Sequence, residues 1–353
     1  MEQNYNKELD LKLDSIIRLI AAAQEPDGYL RTPHTIYWLR NGKTPRAERW
    51  SNLNGDLELY SSGHLIEAAV AHYRATGKKN LLNVALKNVN LIDSLFGKGK
   101  ELQGVDMIPE IELALIKLFK LTGNKKHLEL SKYFLYARGD SADHKLMGPF
   151  SLDHKPLKQQ KQAVGHATFA SYIYSAAADM VNLGIDTSFR EVIRNLWNDI
   201  VFTKMSVNGG IGSRHDNEGF GEAYDFPDLT AYNEICAAVG FCNLNQRMFQ
   251  MEQNAKYFDV LEHTLYNNLL SGIAAHGKAF FYVCPTESDT AYKFNLGWCP
   301  PEYKGNFGGA RATRKEWLPC ACCPPNTCKV CRFLTYDGLC PKRQYFICKP
   351  LYR

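Results

Sequence analysis

The chain has 353 residues, of which 45% are hydrophobic and 22% charged, so it can bury a large core and is not a disordered polymer. The net charge of +5 comes entirely from residues 327–353, and the neutral remainder gives no electrostatic reason to expect nucleic-acid binding. No apolar run approaches the ~20 residues of a membrane span, and the first 20 residues lack the basic region and cleavage site of a signal peptide. These features predict a cytoplasmic protein with no membrane partner.

Most of the chain has apolar residues at helical spacing. A strand is favoured only for "KAFFYVCP", residues 278–285. The predicted helices are, in chain order, "LKLDSIIRLIAAAQ", "GHLIEAAVAHYRATG", "EIELALIKLFKLTG", "AVGHATFASYIYSAAADMV", "FREVIRNLWNDIV" and "DVLEHTLYNNLLSGI".

Two segments repeat one plan: an amphipathic helix ends at Thr-Gly, a short Lys/Asn turn follows, and a second helix begins. Gly77 and Gly123 fit the position just after a helix, where a left-handed residue satisfies the last carbonyls. A third copy, "QRMFQMEQNAKYFDVLEHTL", lacks the glycine. Repeated helical hairpins predict a solenoid or a closed ring. Long loops are predicted at 40–63, 140–165, 205–233 and 283–326, and loops of this length usually carry function.

The cysteines are confined to one end of the chain. All 11 lie at or after Cys236, which is a poor disulfide framework and favours metal or thiolate chemistry in a reducing compartment. Glu234 and Cys236 are two residues apart, and "CACCPPN" places Cys322 and Cys323 before two prolines that restrict the backbone. Three sulfurs and one carboxylate oxygen would suit a tetrahedral zinc site.

Other polar residues suit sugar binding. Glu218 and Glu222 lie in a loop rich in aromatic residues, and a lone acid there is otherwise a solvated side chain. His64 and His166 each follow a glycine near a predicted helix start, where a histidine is as often structural as functional.

Several segments, taken together and in this order, resemble glycoside hydrolase family 127, the bacterial β-L-arabinofuranosidases. They are "GDLELYSSGHLIEAAVAHYRATG", "AYNEICAAVGFCNLNQRM", "HTLYNNLLSGIAAHGKAFFYV" and "CACCPPN". The resemblance covers nearly all of residues 8–326. It implies an all-α, (α/α)6 barrel catalytic domain that is followed in relatives by β-sandwich domains.

The resemblance also implies an activity: retaining hydrolysis of non-reducing terminal β-L-arabinofuranosyl or related residues from an oligosaccharide or plant glycan. By position, the zinc ligands would be Glu234, Cys236, Cys322 and Cys323. Cys322 would be the nucleophile and Glu218 the general acid and base, with Glu222 as the alternative. His64 and His166 would bind the sugar.

Three positions depart from the family's usual residues. Ile108 stands where a histidine is common, Phe169 where arginine is usual, and Cys284 where asparagine is usual. A changed sugar subsite would explain these departures, and so would relaxed selection on a broken gene.

The resemblance predicts that residues 1–326 are a catalytic domain lacking its early helices. Residues 327–353 are predicted to be a non-family tail, because "TCKVCRFLTYDGLCPKRQYFICKPLYR" shows no helical period. Suitable codons read one base later give Leu-Ala-Arg-Phe, the family's usual continuation, which favours a frameshift. We therefore expect weak stability and little activity from residues 1–353 alone, since each hairpin packs on its neighbours.

An alternative hypothesis takes the C-terminal cysteines as a zinc knuckle whose basic flanks contact nucleic acid. A non-enzymatic helical scaffold is a further alternative, but it leaves the Glu-x-Cys and CxCC motifs unexplained. The knuckle cysteines would be Cys320, Cys322, Cys323, Cys328, Cys331, Cys340 and Cys348.

Overall fold

A computed structural model describes residues 5–42, 49–287, 289, 314–317, 320 and 322–335, with only the backbone described at 331–335. The chain divides into two compact units, Met1–Gln159 and Gln160–Arg353. None of the helices within these ranges is long and apolar enough to cross a bilayer.

The described residues of the first unit, 5–42 and 49–159, form six helices and two short 3-10 turns. Its core is built around the fully buried rings of Trp38, Phe96 and Phe134, with Trp50 edge-on to Phe96. α3 packs against both α4 and α5, and α5 packs against α6. The helices are α1 (Lys7–Ala23), α2 (Thr32–Asn41), α3 (Glu58–Thr76), α4 (Asn80–Leu95), α5 (Ile111–Thr122) and α6 (Lys125–Ala137), and the 3-10 turns are Pro149–Ser151 and Leu157–Gln159.

The second unit is organised around two buried helices. α7 (Ala167–Asn182) is buried along almost its whole length and packs against α9 (Ile235–Glu252). α8 (Phe189–Thr203) packs on α7, while α10 (Lys256–Thr264) and α11 (Cys323–Thr335) pack on α9. A π turn, Leu265–Leu269, continues α10, and a 3-10 turn, Asp216–Glu218, interrupts the loop before α9. These helical hairpins confirm the predicted all-α fold class.

The predicted helix ends are confirmed. Gly77 and Gly123 follow α3 and α5 with φ angles of 72° and 70°, and each amide N–H bonds a carbonyl in the last turn of its helix. In the third copy, Gln253 occupies the same place after α9 with φ 53°. The hairpin plan is therefore kept, but a glutamine there adopts a conformation that costs an L-residue about 1 kcal/mol or more.

This difference predicts opposite effects at two equivalent positions. Gly123→Ala should lower the free energy of unfolding by about 1 kcal/mol, because alanine resists the left-handed conformation. Gln253→Gly should raise it by a somewhat smaller amount, since glycine relieves the strain but loses two side-chain hydrogen bonds to carbonyls of the helix. Urea denaturation of the two variants measures both changes. Shifts of the same sign would contradict the assignment of strain.

Several predicted elements differ from the structure. "KAFFYVCP" forms no strand among the described residues: Phe280 makes isolated bridges to Ile273 and Lys315. The loop expected at 40–63 is shorter, because α3 already begins at Glu58.

The helix α11 runs through the segment that showed no helical period. It extends from Cys323 to Thr335, so the predicted domain boundary at 326 lies inside a helix. Tertiary contacts explain the difference. Val330 is fully buried in a cluster with residues of α9 and α10, and the spacing of apolar residues in so short a segment does not reveal such a contact. The predicted frameshift and tail remain predictions, and Cys340 and Cys348 lie outside the described residues.

Candidate metal centre and active site

Four side chains predicted to bind one metal ion converge in the second unit. The ligand atoms of Glu234, Cys236, Cys322 and Cys323 all lie within 4.8 Å of one another. Cys323 Sγ is 3.6 Å from Cys236 Sγ and 3.8 Å from Cys322 Sγ, and Glu234 Oε1 is 3.8 Å from Cys322 Sγ. The structure thus brings two motifs that are distant in the sequence into one cluster.

The start of α11 positions the two adjacent cysteines. Cys323 is the first helical residue, and Pro324 and Pro325 follow in the first turn, where a missing N–H costs nothing. Asn326 is buried, and its side-chain amide donates to Cys236 Sγ at 3.1 Å and to the Tyr172 hydroxyl at 3.4 Å. The sequence "CCPPN" therefore begins a helix and ties that helix to α9.

Glu234 lies at the N-terminal cap of α9, and the loop around it is fixed by backbone bonds. The amide of Ile235 donates to the carbonyl of Tyr282 at 3.0 Å. The hydroxyl of Thr168, on α7, donates to Glu234 Oε2 at 3.0 Å, which leaves Oε1 facing the cysteines. The carboxylate is thus oriented before any metal ion binds.

The cluster fits a tetrahedral zinc ion. With Zn–S bonds of about 2.3 Å, sulfur ligands lie about 3.8 Å apart, as two of the sulfur pairs here do. Burial raises the pKa of the Cys323 thiol well above its usual value and that of the Glu234 carboxyl to about 8. Buried groups of this kind ionise when a cation replaces their protons, so the chemistry of the donor set agrees with the geometry.

Glu218 lies beside this cluster on a strained turn. Asn217 and Glu218 have φ angles of 60° and 48°, uncommon for residues other than glycine and concentrated at functional sites. The hydroxyl of Tyr232 donates to Glu218 Oε2 at 2.7 Å. Burial raises the pKa of Glu218, while the bond from Tyr232 opposes that rise. A carboxyl group in this setting can hold a proton and later accept one.

His166 caps the N-terminus of α7 and approaches the same acid. Its Nδ1 accepts a hydrogen bond from the amide of Thr168 at 3.2 Å, so the ring proton belongs on Nε2. Nε2 is 3.9 Å from Glu218 Oε2, and one ligand atom from each of His166, Glu218 and Glu234 lies within 4.8 Å of the others. Burial lowers the pKa of His166 to about 3, so the ring is neutral. Phe169 stacks on the ring, with centroids 3.8 Å apart.

The two remaining predicted residues, Glu222 and His64, are not among the groups of these two clusters. Glu222 is exposed and lies three residues after Gly219 in the sequence. His64 belongs to the first unit, where its Nδ1 is 3.4 Å from Glu110 Oε1 and its ring is edge-on to Tyr60. Its predicted role in sugar binding remains a prediction.

Sequence reasoning missed the groups that orient the site. Thr168, Tyr232, Tyr282 and Asn326 all bond a predicted site residue, but hydroxyl and amide partners have no diagnostic spacing. Of these four residues, Asn326 alone could have been singled out from the sequence, because it is the last residue of the "CCPPN" motif.

Comparison with known proteins identifies the family of the chain. The family described as "Beta-L-arabinofuranosidase, GH127 catalytic domain" matches residues 1–334. A non-reducing end β-L-arabinofuranosidase from Bifidobacterium longum subsp. longum is 35% identical over 343 residues, covering 92% of this chain and 50% of that protein.

Solved structures give the same result. The GH127 β-arabinofuranosidase BT3674 is 40% identical with a TM-score of 0.80, covering 91% of this chain and 48% of that one. Ara127N, a GH127 β-L-arabinofuranosidase from Geobacillus stearothermophilus T6, is 36% identical with a TM-score of 0.79, covering 94% and 52%. The chain therefore spans about half the length of these relatives.

The fold and these similarities define the catalytic domain of an (α/α)6-type glycoside hydrolase, which confirms the fold class predicted from the sequence. Within that class, the chain belongs to glycoside hydrolase family 127.

Proposed function

We propose that the chain hydrolyses non-reducing terminal β-L-arabinofuranosyl residues, or closely related sugars, with retention of anomeric configuration. One observation carries the proposal: a Glu-Cys-Cys-Cys cluster lies next to a half-buried acid, Glu218, that a tyrosine orients. A retaining glycosidase needs a nucleophile and a proton donor on the same sugar linkage, and this arrangement supplies both.

Zinc is the cofactor we propose, held by Glu234, Cys236, Cys322 and Cys323. When bound, it would keep the cysteine sulfurs ionised at neutral pH, whereas burial alone raises the pKa of the Cys323 thiol well above its usual value. Cys236 and Cys323 are 2% and 1% exposed, whereas Cys322 is half-buried. Cys322 is therefore the sulfur that a substrate can reach.

The two steps of the reaction divide between Cys322 and Glu218. In the first, Cys322 Sγ attacks the anomeric carbon while the Glu218 carboxyl gives its proton to the leaving oxygen, and a covalent thioglycosyl enzyme forms. In the second, the Glu218 carboxylate takes a proton from water, whose oxygen displaces the sulfur. Because Tyr232 donates to Oε2, we assign the transferred proton to Oε1.

His166 would hold the sugar rather than move protons. Since its Nδ1 accepts from the helix amide, Nε2–H is a hydrogen-bond donor suited to a hydroxyl group of the substrate. A ring whose pKa burial lowers to about 3 is neutral near neutral pH, whereas burial raises the pKa of Glu218. The pH dependence of turnover should therefore report Glu218 and the thiols, not this histidine.

The function is tested with p-nitrophenyl β-L-arabinofuranoside, with the anomer of the first product followed by NMR. Glu218→Gln should lower kcat/KM by about 10²- to 10⁴-fold, the usual contribution of general acid-base catalysis. Glu222→Gln is the matched control, because it makes the same change on an exposed side chain of the same loop. An equal loss in both variants would contradict the role of Glu218, and an inverted product would contradict the mechanism.

A further inference from the structure

The proposed reaction leaves one cysteine of the "CACCPPN" segment without a role. Cys320 lies two residues before Cys322 and is not among the four groups of the metal cluster. The hydroxyl of Tyr282 donates to Cys320 Sγ at 3.8 Å, and the thiol of Cys322 donates to that same hydroxyl oxygen at 3.6 Å. The two sulfurs therefore share one polar contact.

Solvent exposure distinguishes Cys320 and Cys322 from Cys236 and Cys323. Cys320 and Cys322 are both half-buried, whereas Cys236 and Cys323 are almost completely buried. Cys236 is also held by Asn326, and Cys323 by the first turn of α11. A dissolved oxidant that enters where the substrate enters would thus meet Cys322 first, with Cys320 beside it.

We propose that Cys320 is a resolving cysteine, which forms a reversible disulfide with Cys322 when a peroxide oxidises that residue. The proposal rests on the proposed function, in which Cys322 is the nucleophile. First, the Cys322 thiol reacts with hydrogen peroxide to give a sulfenic acid and water. Next, the Cys320 thiol attacks the sulfenic sulfur, and the S–S bond forms with loss of a second water. Two thiol equivalents of a reductant reverse the process.

The chain geometry permits this bond. Residues two apart are separated by at most about 7 Å between Cα atoms, close to the range of about 4.4 to 6.8 Å found in disulfides. Both sulfurs already lie within 4 Å of one oxygen atom. The disulfide would block the nucleophile and remove one sulfur from the metal cluster, so the oxidised protein would be inactive but recoverable.

A sulfenic acid that meets no second thiol is oxidised further to sulfinic acid, which common thiols do not reduce. Cys320 would therefore protect the site from permanent loss. Cys328 offers a comparison, because it lies in the same segment but is exposed on α11.

The test uses the full chain as purified, with its metal content measured, and treats it with hydrogen peroxide. After free thiols are alkylated, mass spectrometry of the peptide Glu316–Lys329 identifies the products. In the wild-type protein we expect a Cys320–Cys322 disulfide that dithiothreitol reduces. In Cys320→Ser, we expect irreversible oxidation of Cys322 to proceed about tenfold faster. Cys328→Ser should form the same disulfide, and show the same rate of irreversible oxidation at Cys322, as the wild-type protein.

Two results would overturn the proposal: sulfinic acid at Cys322 forming equally fast with and without Cys320, or a disulfide that joins Cys322 to Cys323 or Cys236 instead. The mass measurement needs no turnover, so it does not depend on the chain being active. Covalent labelling of Cys322 by a sugar-configured epoxide tests the nucleophile separately, and the two failures can thus be told apart.

Discussion

Cys322→Ser is expected to lower kcat/KM by roughly 10⁴-fold or more while leaving the protein folded, because a serine hydroxyl is not ionised at neutral pH and cannot replace a thiolate. The side chain is half-buried and lies just before α11, so the substitution adds no volume and breaks no helix. An epoxide with the L-arabinofuranose configuration gives a second readout. It labels the nucleophile once, so it reports on Cys322 even where turnover is slow.

Cys328→Ser is the control for this experiment, since it makes the same atomic change at an exposed position of the same segment. It should keep both hydrolysis and labelling. Labelling that persists in Cys322→Ser, or a label found on Cys236 or Cys323, would remove Cys322 as the nucleophile. Circular dichroism of both variants separates a chemical loss from unfolding.

The helical hairpins could be predicted because their signals are local. An amphipathic stretch followed by glycine and a polar turn specifies a helix end without reference to the rest of the fold, and Gly77 and Gly123 are found there. Gln253 shows the limit of that rule, since an exposed non-glycine residue, whose side-chain amide bonds two carbonyls at the end of α9, adopts the same conformation. The extent of α11 could not be predicted, because its support comes from the burial of Val330 in the second unit.

The candidate site was predictable to the extent that its chemistry is unusual. A Glu-x-Cys and a CxCC motif have few explanations other than a metal ion. That Glu234 and Cys322, which are 88 residues apart in the sequence, lie close together in space could therefore be predicted from ligand chemistry and not from periodicity. The groups that orient them are ordinary. The hydroxyl of Thr168 reaches Glu234 across 66 residues, and Tyr282 reaches Cys322 across 40, and no sequence pattern marks either contact. Ligands could thus be proposed from the sequence, but their orientation required the structure.

Glu234→Ala is expected to remove the zinc ion and the stability that comes with it. Zinc at 100 times its dissociation constant should raise the free energy of unfolding of the unchanged protein by about 2.7 kcal/mol. Loss of one ligand, with Thr168 left without its partner, should abolish that gain. Zinc content by elemental analysis and thermal unfolding with and without zinc measure both effects. Glu222→Ala, on an exposed side chain, is the control and should keep one zinc per chain.

The zinc effect should also depend on pH in a defined direction. Burial raises the pKa of Glu234 from 4.5 to about 8 in the metal-free protein, so the folded state binds this proton more tightly than the unfolded chain does. The titration of Glu234 therefore makes the metal-free protein less stable as pH rises from 4.5 to about 8. Zinc must displace this proton and those of the thiols, so its affinity and its stabilising effect should both increase from about pH 6 to about pH 8. A zinc effect that is independent of pH, or zinc retained by a peptide of residues 318–353 as the knuckle hypothesis requires, would contradict this site.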